Sequence, residues 1–167
     1  TRRCYEQIVL DVCLHDLPVR IVGSGGGAQY APLGPTHMGL DDYSLMNSIP
    51  QMTVVSPVNS YEMCTILHQS LLWAHPMYIR VSTEHQSLNY PTAQSTSIGK
   101  GVVFQKPRDG SHIMLVSTGH ATSICTNAIQ VLRNENRNVS HIHFHTLSPF
   151  DHDLLRLFAE TSRLILT

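Results

Sequence analysis

The sequence predicts an α/β protein made of two consecutive layered units with largely parallel sheets. Three observations carry that expectation. Short apolar runs of strand length, Val19–Val22, Met52–Val55 and Met77–Val81, alternate with stretches of helical period. Such alternation builds β-α-β connections and hence parallel sheets. The polar stretch Ser87–Gly101, with Pro91 and Gly99, shows neither period and reads as a linker. Beyond it the alternation restarts with Ile113–Val116, Val139–Phe144 and Leu164–Leu166. The expected division is a first unit over 1–86, a linker over 87–101 and a second unit over 102–167.

In chain order, Tyr5, Ile8, Val9 and Val12 recur at i, i+3, i+4 and i+7 and predict an amphipathic helix. Pro18 follows its end. A glycine-rich loop comes after the first strand. A short helix is expected from Asp41 to Met46; Asp41 and Asp42 could serve as acid/base groups, but capping it and facing its N-terminal dipole is the preferred reading. Pro57 closes the second strand. Asn59 and Glu62 have capping-box spacing and open a helix whose inward face is expected to be Met63, Ile66, Leu67 and Leu71. In the second unit, Gly119 marks a tight turn before a helix from Ala121 to Arg133. Pro149 and Asp151 open a helix carrying Leu154, Leu155 and Phe158. The second unit thus reads βαβαβ, without repeats or low-complexity tracts.

A 42% hydrophobic and 14% charged composition over 167 residues suits a packed core. The net charge of −1, without a basic block, argues against nucleic acid or an anionic membrane as partner. No apolar run reaches membrane-span length and no signal-peptide pattern opens the chain. Cys4, Cys13, Cys64 and Cys125 form no C-x-x-C pair, which predicts reduced thiols and a cytoplasmic setting. Cys4 and Cys13 are expected to be buried among apolar helical neighbours. Helical pattern is already running at Arg3, and Leu164–Thr167 reads as a strand cut short, so both ends are expected to be incomplete.

The chemistry-bearing candidate is the loop Gly25-Gly26-Gly27 followed by Ala31-Pro32-Leu33-Gly34-Pro35-Thr36-His37-Met38-Gly39. The glycines allow positive φ or close approach to a ligand, and the two prolines stiffen the run. Such a loop presents the His37 imidazole at a defined place beyond a strand's carboxyl end, where open α/β sheets bind ligands. The glycines lack the G-x-G-x-x-G pattern, so a nicotinamide site is weakly supported. His141, His143 and His145 share one face of a strand. A metal site is one reading; a polar strand face, partly solvated or at an interface, is preferred because no neighbouring cysteine or carboxylate completes a ligand set. Ser117-Thr118-Gly119-His120 precedes a helix, where an anion can sit on free N–H groups. Ser24 lacks the G-x-S-x-G setting of a hydrolase nucleophile.

Tyr5-Glu6-Gln7, Leu17-Pro18-Val19-Arg20, Gly34-Pro35-Thr36-His37 and Ile49-Pro50-Gln51-Met52-Thr53-Val54-Val55-Ser56-Pro57 occur in an order and spacing that resemble the pyrimidine-binding domain of transketolase-type thiamine-diphosphate enzymes, deoxyxylulose-phosphate synthase included. Thr118-Gly119, the helix after it, and Leu147-Ser148-Pro149-Phe150-Asp151 resemble the transketolase C-terminal domain. The resemblance implies a transferase that moves a two-carbon ketol or acyl unit between carbonyl substrates, with thiamine diphosphate carrying the bond cleavage. It implies that His37 contacts the substrate at the reacting centre, and that Tyr5, Gly34, Thr36 and Arg80 bind substrate or cofactor. It implies that a partner holds the diphosphate and its Mg²⁺, in a homodimer or in a heterotetramer with an N-terminal subunit. No metal ligands are expected within this chain. The activating glutamate and the aromatics that stack on the pyrimidine are expected upstream of Thr1.

Two positions depart from the family pattern. Leu33 stands where an aspartate usually precedes G-P-T-H. Thr83 stands where an arginine usually binds phosphate. The guanidinium missing at Thr83 favours a substrate that is unphosphorylated or held differently. The glycine loop looks closer to transketolases split into two chains. Two alternatives stay open: the β subunit of a 2-oxo acid dehydrogenase, which Val54–Ser60 resembles, and a non-catalytic scaffold of the same fold.

Overall fold

A computed structural model describes residues 2–82, 90–91 and 96–167. Thr83 and much of the expected linker therefore lie outside the described residues. A 3-10 turn, Arg2–Cys4, leads into α1 (Tyr5–Gln7), which continues as a π-helical stretch, Ile8–Cys13. The apolar stripe read from the sequence faces inward: Ile8 is buried, and Tyr5, Val9 and Val12 pack around it with Met46, Met52 and Val54. Next come β1 (Arg20–Ser24), α2 (Asp42–Asn47), β2 (Thr53–Val55), α3 (Ser60–Ser70) and β3 (Met77–Val81). The second half holds β4 (Val102–Gln105), β5 (His112–Ser117), α4 (Ala121–Asn134), β6 (Val139–His143), β7 (Thr146–Ser148), α5 (His152–Ala159) and β8 (Ser162–Leu166).

Two four-stranded sheets result, ordered β1-β3-β2-β7 and β4-β6-β5-β8. β3 lies parallel between β1 and β2, and β5 lies parallel between β6 and β8. The other pairs, β2 with β7 and β4 with β6, are antiparallel. The two-unit, largely parallel α/β architecture is therefore as the sequence predicts, with two strands that it does not announce. β4 opens the second half as an antiparallel edge. β7 lies in the second half of the chain but completes the first sheet. This seam is reinforced by Ser56 N–H donating to the His145 carbonyl at 2.7 Å, and by Gly99 N–H donating to Thr146 Oγ1 at 3.1 Å.

Three expectations are corrected. On α3 the buried stripe is Glu62, Ile66 and Ser70, joined by Met63, while Leu67 is 39% and Leu71 79% exposed. The stripe follows i, i+4, i+8 and carries two polar residues, and Leu71 already lies past the helix end. Cys13 is buried but Cys4 is exposed, because Cys4 belongs to the opening 3-10 turn. Asp41 does not cap α2 with its side chain; it pairs with Arg2 at 2.5 Å. No helix among the described residues is long and apolar enough to cross a membrane.

Candidate active site

β1 ends at Ser24, and the chain enters the glycine-rich loop at the carboxyl edge of the first sheet. Gly25 and Gly27 take φ of +77° and +68°, values at which only glycine is unstrained. Ala31–Leu33 and Pro35–His37 then form two 3-10 turns separated by Gly34 at φ +85°. A proline opens the second turn, where its fixed φ suits the turn and its missing N–H costs nothing. His37 is the last residue of that turn. Its ring is exposed, and Nδ1 lies 3.0 Å from Thr36 Oγ1.

His37 and Thr36 line a cleft of about 940 Å³ together with Gly23, Ser24, Gly25, Gly26, Asp42 and Tyr78. Arg2 and Arg3 line its other side. The cleft floor is built by a buried polar group. Tyr78 donates its hydroxyl to Asp42 Oδ2 at 2.9 Å, and Arg80 Nε lies 3.1 Å from the same oxygen. Burial first, and the Asp42 carboxylate second, push the Tyr78 hydroxyl well above its ordinary range, so it stays a protonated donor. Asp42 Oδ1 is buried without a hydrogen-bond partner among the described residues. Tyr78 stands against Gly23, where an added Cβ would collide with its hydroxyl oxygen.

The sequence-derived candidates divide. His37 and Thr36 come together on the cleft. Gly34 does not line it but sets the break that aims the second turn. Tyr5 lies off the cleft, where its hydroxyl meets Ser48 Oγ at 3.1 Å. Arg80 also lies off the cleft, behind the loop. Its Nη2 donates to the Gly39 carbonyl at 2.8 Å, and its guanidinium carbon sits 4.1 Å above the Tyr43 ring. Leu33 is 61% exposed and does not line the cleft. Tyr78, Asp42, Arg2 and Arg3 are additional lining residues. The sequence signal for two of them was a tyrosine inside an apolar strand and an acidic pair after the loop; for the arginines there was none.

The histidine triplet is buried at the seam between the two sheets. His141 Nε2 lies 2.8 Å from Ser117 Oγ, and His145 Nδ1 lies 2.8 Å from Thr146 Oγ1. His143 contacts Thr122 Oγ1 at 2.7 Å and Glu62 Oε2 at 3.0 Å. A carboxylate is therefore present after all, brought by folding from the other half of the chain. These groups bond to hydroxyls and to one another, and among the described residues no three His, Cys, Asp or Glu side chains converge as a metal ligand set. At the turn after β5, the Thr122 and Ser123 N–H groups bond back to the Gly119 and His120 carbonyls. That occupies two of the donors an anion would use.

Comparison with known proteins gives a consistent result. The family model for the transketolase pyrimidine-binding domain matches residues 1–87, and that for the transketolase C-terminal domain matches residues 103–167. The chain is 29% identical over 166 residues to the 6-deoxy-6-sulfo-D-fructose transketolase subunit of Clostridium sp. (strain MSTE9), covering 99% of this chain and 51% of that protein. It is 31% identical over 168 residues to the 1-deoxy-D-xylulose-5-phosphate synthase of Syntrophotalea carbinolica, covering 99% of this chain and 26% of the relative. Among solved structures, a split-gene transketolase described as an inactive beta4 tetramer superposes with TM-score 0.85 at 22% identity, over 98% of this chain and 51% of that one. Pichia stipitis transketolase in complex with sedoheptulose-7-phosphate gives 0.75 at 18% identity, over 89% and 22%. The chain thus spans between about a quarter and about half the length of the curated relatives it matches.

Proposed function

The chain belongs to the transketolase family, and on that premise we propose that it is the C-terminal portion of a thiamine-diphosphate-dependent transferase that moves a two-carbon ketol or acyl unit between carbonyl substrates. The observation that carries this reading is the placement of His37 on a stiff 3-10 turn at a cleft on the carboxyl edge of the first sheet. The cleft is of the size ligand sites take, and the three glycines Gly23, Gly25 and Gly26 bring backbone to its wall on either side of Ser24. When bound there, the cofactor supplies the carbanion chemistry that a protein side chain lacks.

This chain's own residues bind and orient. In the tautomer in which Thr36 donates to Nδ1, His37 Nε2 carries the proton and donates to a substrate oxygen. A donor held in place before the reaction stabilises developing charge at no reorganisation cost. The Tyr78–Asp42 pair keeps the cleft floor fixed. The reading assigns the diphosphate, its Mg²⁺ and the activating carboxylate to polypeptide outside this chain, in a cytoplasmic homodimer or a heterotetramer with an N-terminal subunit. The word subunit in the name of the sulfo-sugar relative, and the inactive state of the split-gene tetramer, support a site that needs a partner.

The test is reconstitution. The full-length polypeptide is co-expressed with the diphosphate-binding subunit, and ketol transfer is measured with thiamine diphosphate and Mg²⁺. The expected result is transfer by the assembly and none by either part alone. Oxidative decarboxylation of a 2-oxo acid would replace this reading with a dehydrogenase subunit. Calorimetry showing no cofactor binding in the assembly would replace it with a scaffold.

A further inference from the structure

We propose that Arg80 is a positioning residue: its guanidinium clamps both ends of the 25–39 loop and so fixes where His37 stands in the cleft. The proposal rests on the reading of His37 as the substrate contact. Several contacts of one side chain carry it. Nη2 donates to the Gly39 carbonyl at 2.8 Å, and that carbonyl also accepts the Gly27 N–H at 2.8 Å. Nε lies 3.1 Å from Asp42 Oδ2, just after the loop's exit. The guanidinium stacks over Tyr43, 4.1 Å from the ring centroid. At the loop's entry, a Cβ added to Gly26 would fall inside the guanidinium, so the backbone runs directly across it.

Gly26 therefore has a cause of its own, since its side-chain space is filled by the arginine. Gly26 and Gly39 line the cleft while Arg80 does not, which puts the loop backbone between the guanidinium and a ligand in that cleft. The side chain is only 17% exposed. An arginine committed in this way is a poor anion grip for a substrate, contrary to the role that family resemblance implies. A planar fork can bond a carbonyl, pair with a carboxylate and stack on an aromatic at once; an ammonium cannot. Displacing the loop by about 1 Å is enough to cost roughly 100-fold in rate.

The experiment compares wild type with R80K, R80Q and G26A in the full-length protein assembled with its partner subunit. Hydrogen exchange of peptides spanning 25–39 is read first, since it needs no activity. R80Q is expected to speed exchange there about tenfold or more, with peptides from β2 and α3 unchanged and R80K intermediate. In turnover, kcat is expected to fall roughly 10- to 100-fold, with KM moving alike for anionic and neutral substrates. G26A is expected to reproduce the defect although it keeps the guanidinium. A KM increase confined to the anionic substrate, or unchanged loop exchange in both R80K and R80Q, overturns the proposal. Should the wild-type assembly show no transfer, the proposed function fails, and loop exchange still decides this clamp.

Discussion

His143 Nε2 and Glu62 Oε2 lie 3.0 Å apart with both side chains fully buried, although 81 residues separate them in the chain. The contact ties β6 of the second sheet to the first turn of α3 beside the first. Glu62 also accepts the Val58 N–H at 2.7 Å and the Tyr90 hydroxyl at 2.5 Å. Burial alone would push its carboxyl up. The charge and hydrogen bond of His143, then His145 and Tyr90, outweigh burial and hold it below its ordinary range. A carboxylate with this many donors fastens the two halves of the chain together.

Removing it should be costly. E62A strips an acceptor from three buried donors at once, and breaking a buried pair from one side typically costs about 3–5 kcal/mol. E62Q keeps the volume and one acceptor and should lose less. Urea unfolding of the full-length protein measures both, and a loss under about 1 kcal/mol for E62A would show that the seam is held elsewhere.

The same seam makes stability depend on pH. Burial pushes His141 and His145 down to about 4 from an ordinary 6.5. Among the described residues Nε2 of His145 is buried without a partner, so a proton placed there finds no acceptor among them. Between those pH values the unfolded chain binds protons that the folded chain refuses. Stability is thus fully present above about pH 6.5 and is lost as pH falls toward 4, by on the order of 3 kcal/mol per imidazole. Glu62 adds a further loss below its ordinary 4.5, since its folded carboxyl must then be protonated against its donors. Urea midpoints should hold from pH 7.5 to about 6.5 and decline from there to pH 4.5, and H145Q should flatten the decline. A flat wild-type profile contradicts this account.

Much of this architecture was readable beforehand, and the gaps have physical reasons. Met52–Val55 and Met77–Val81 announce buried parallel strands because both faces are covered. Asn59 was visible as a cap, and it accepts the Glu62 N–H at 2.9 Å. The spacing predicts that the Glu62 side chain completes the box, yet it bonds Val58 N–H and reaches His143, a partner that only the tertiary fold supplies. Period two placed the three histidines on one face, but it carries no information on burial. Thr146–Ser148 is too short and polar to signal a strand; its pairing with β2 is a long-range event. The loop Gly25–His37 was legible as a presenting device. The contacts of Arg80 with Gly39, Asp42 and Tyr43 are not, because they join a strand residue to a loop and helix some 40 residues away, and only the tertiary fold brings them together.

Gly119 gives a local test of the seam. Its φ of +51° is in the left-handed region, and an added Cβ would strike Ser56 Oγ. G119A should therefore destabilise by about 1–3 kcal/mol, combining backbone strain with a clash. S56A removes the struck atom, so the double variant should lose less than the sum of the single losses, although Tyr43 gives up its 2.5 Å bond to Ser56. Thermal melts of the four proteins decide it, and strict additivity would place the strain outside this contact.

His37 separates activity from stability. Its ring is exposed and, among the described residues, its side-chain hydrogen bond is with the adjacent Thr36 Oγ1. Removing it leaves no buried group orphaned, so H37A should leave the melting temperature within about 2 °C of wild type. In the assembled protein, loss of a placed donor should lower kcat/KM roughly 10²- to 10⁴-fold. T36V retains the imidazole but removes the hydroxyl that selects its tautomer, and should cost about tenfold, mainly in kcat. Asparagine at position 37 keeps a donor on a shorter arm and should recover part of the H37A loss. If H37A and T36V both turn over like wild type while the assembly remains active, the imidazole is a surface group and the reacting centre lies elsewhere in the cleft.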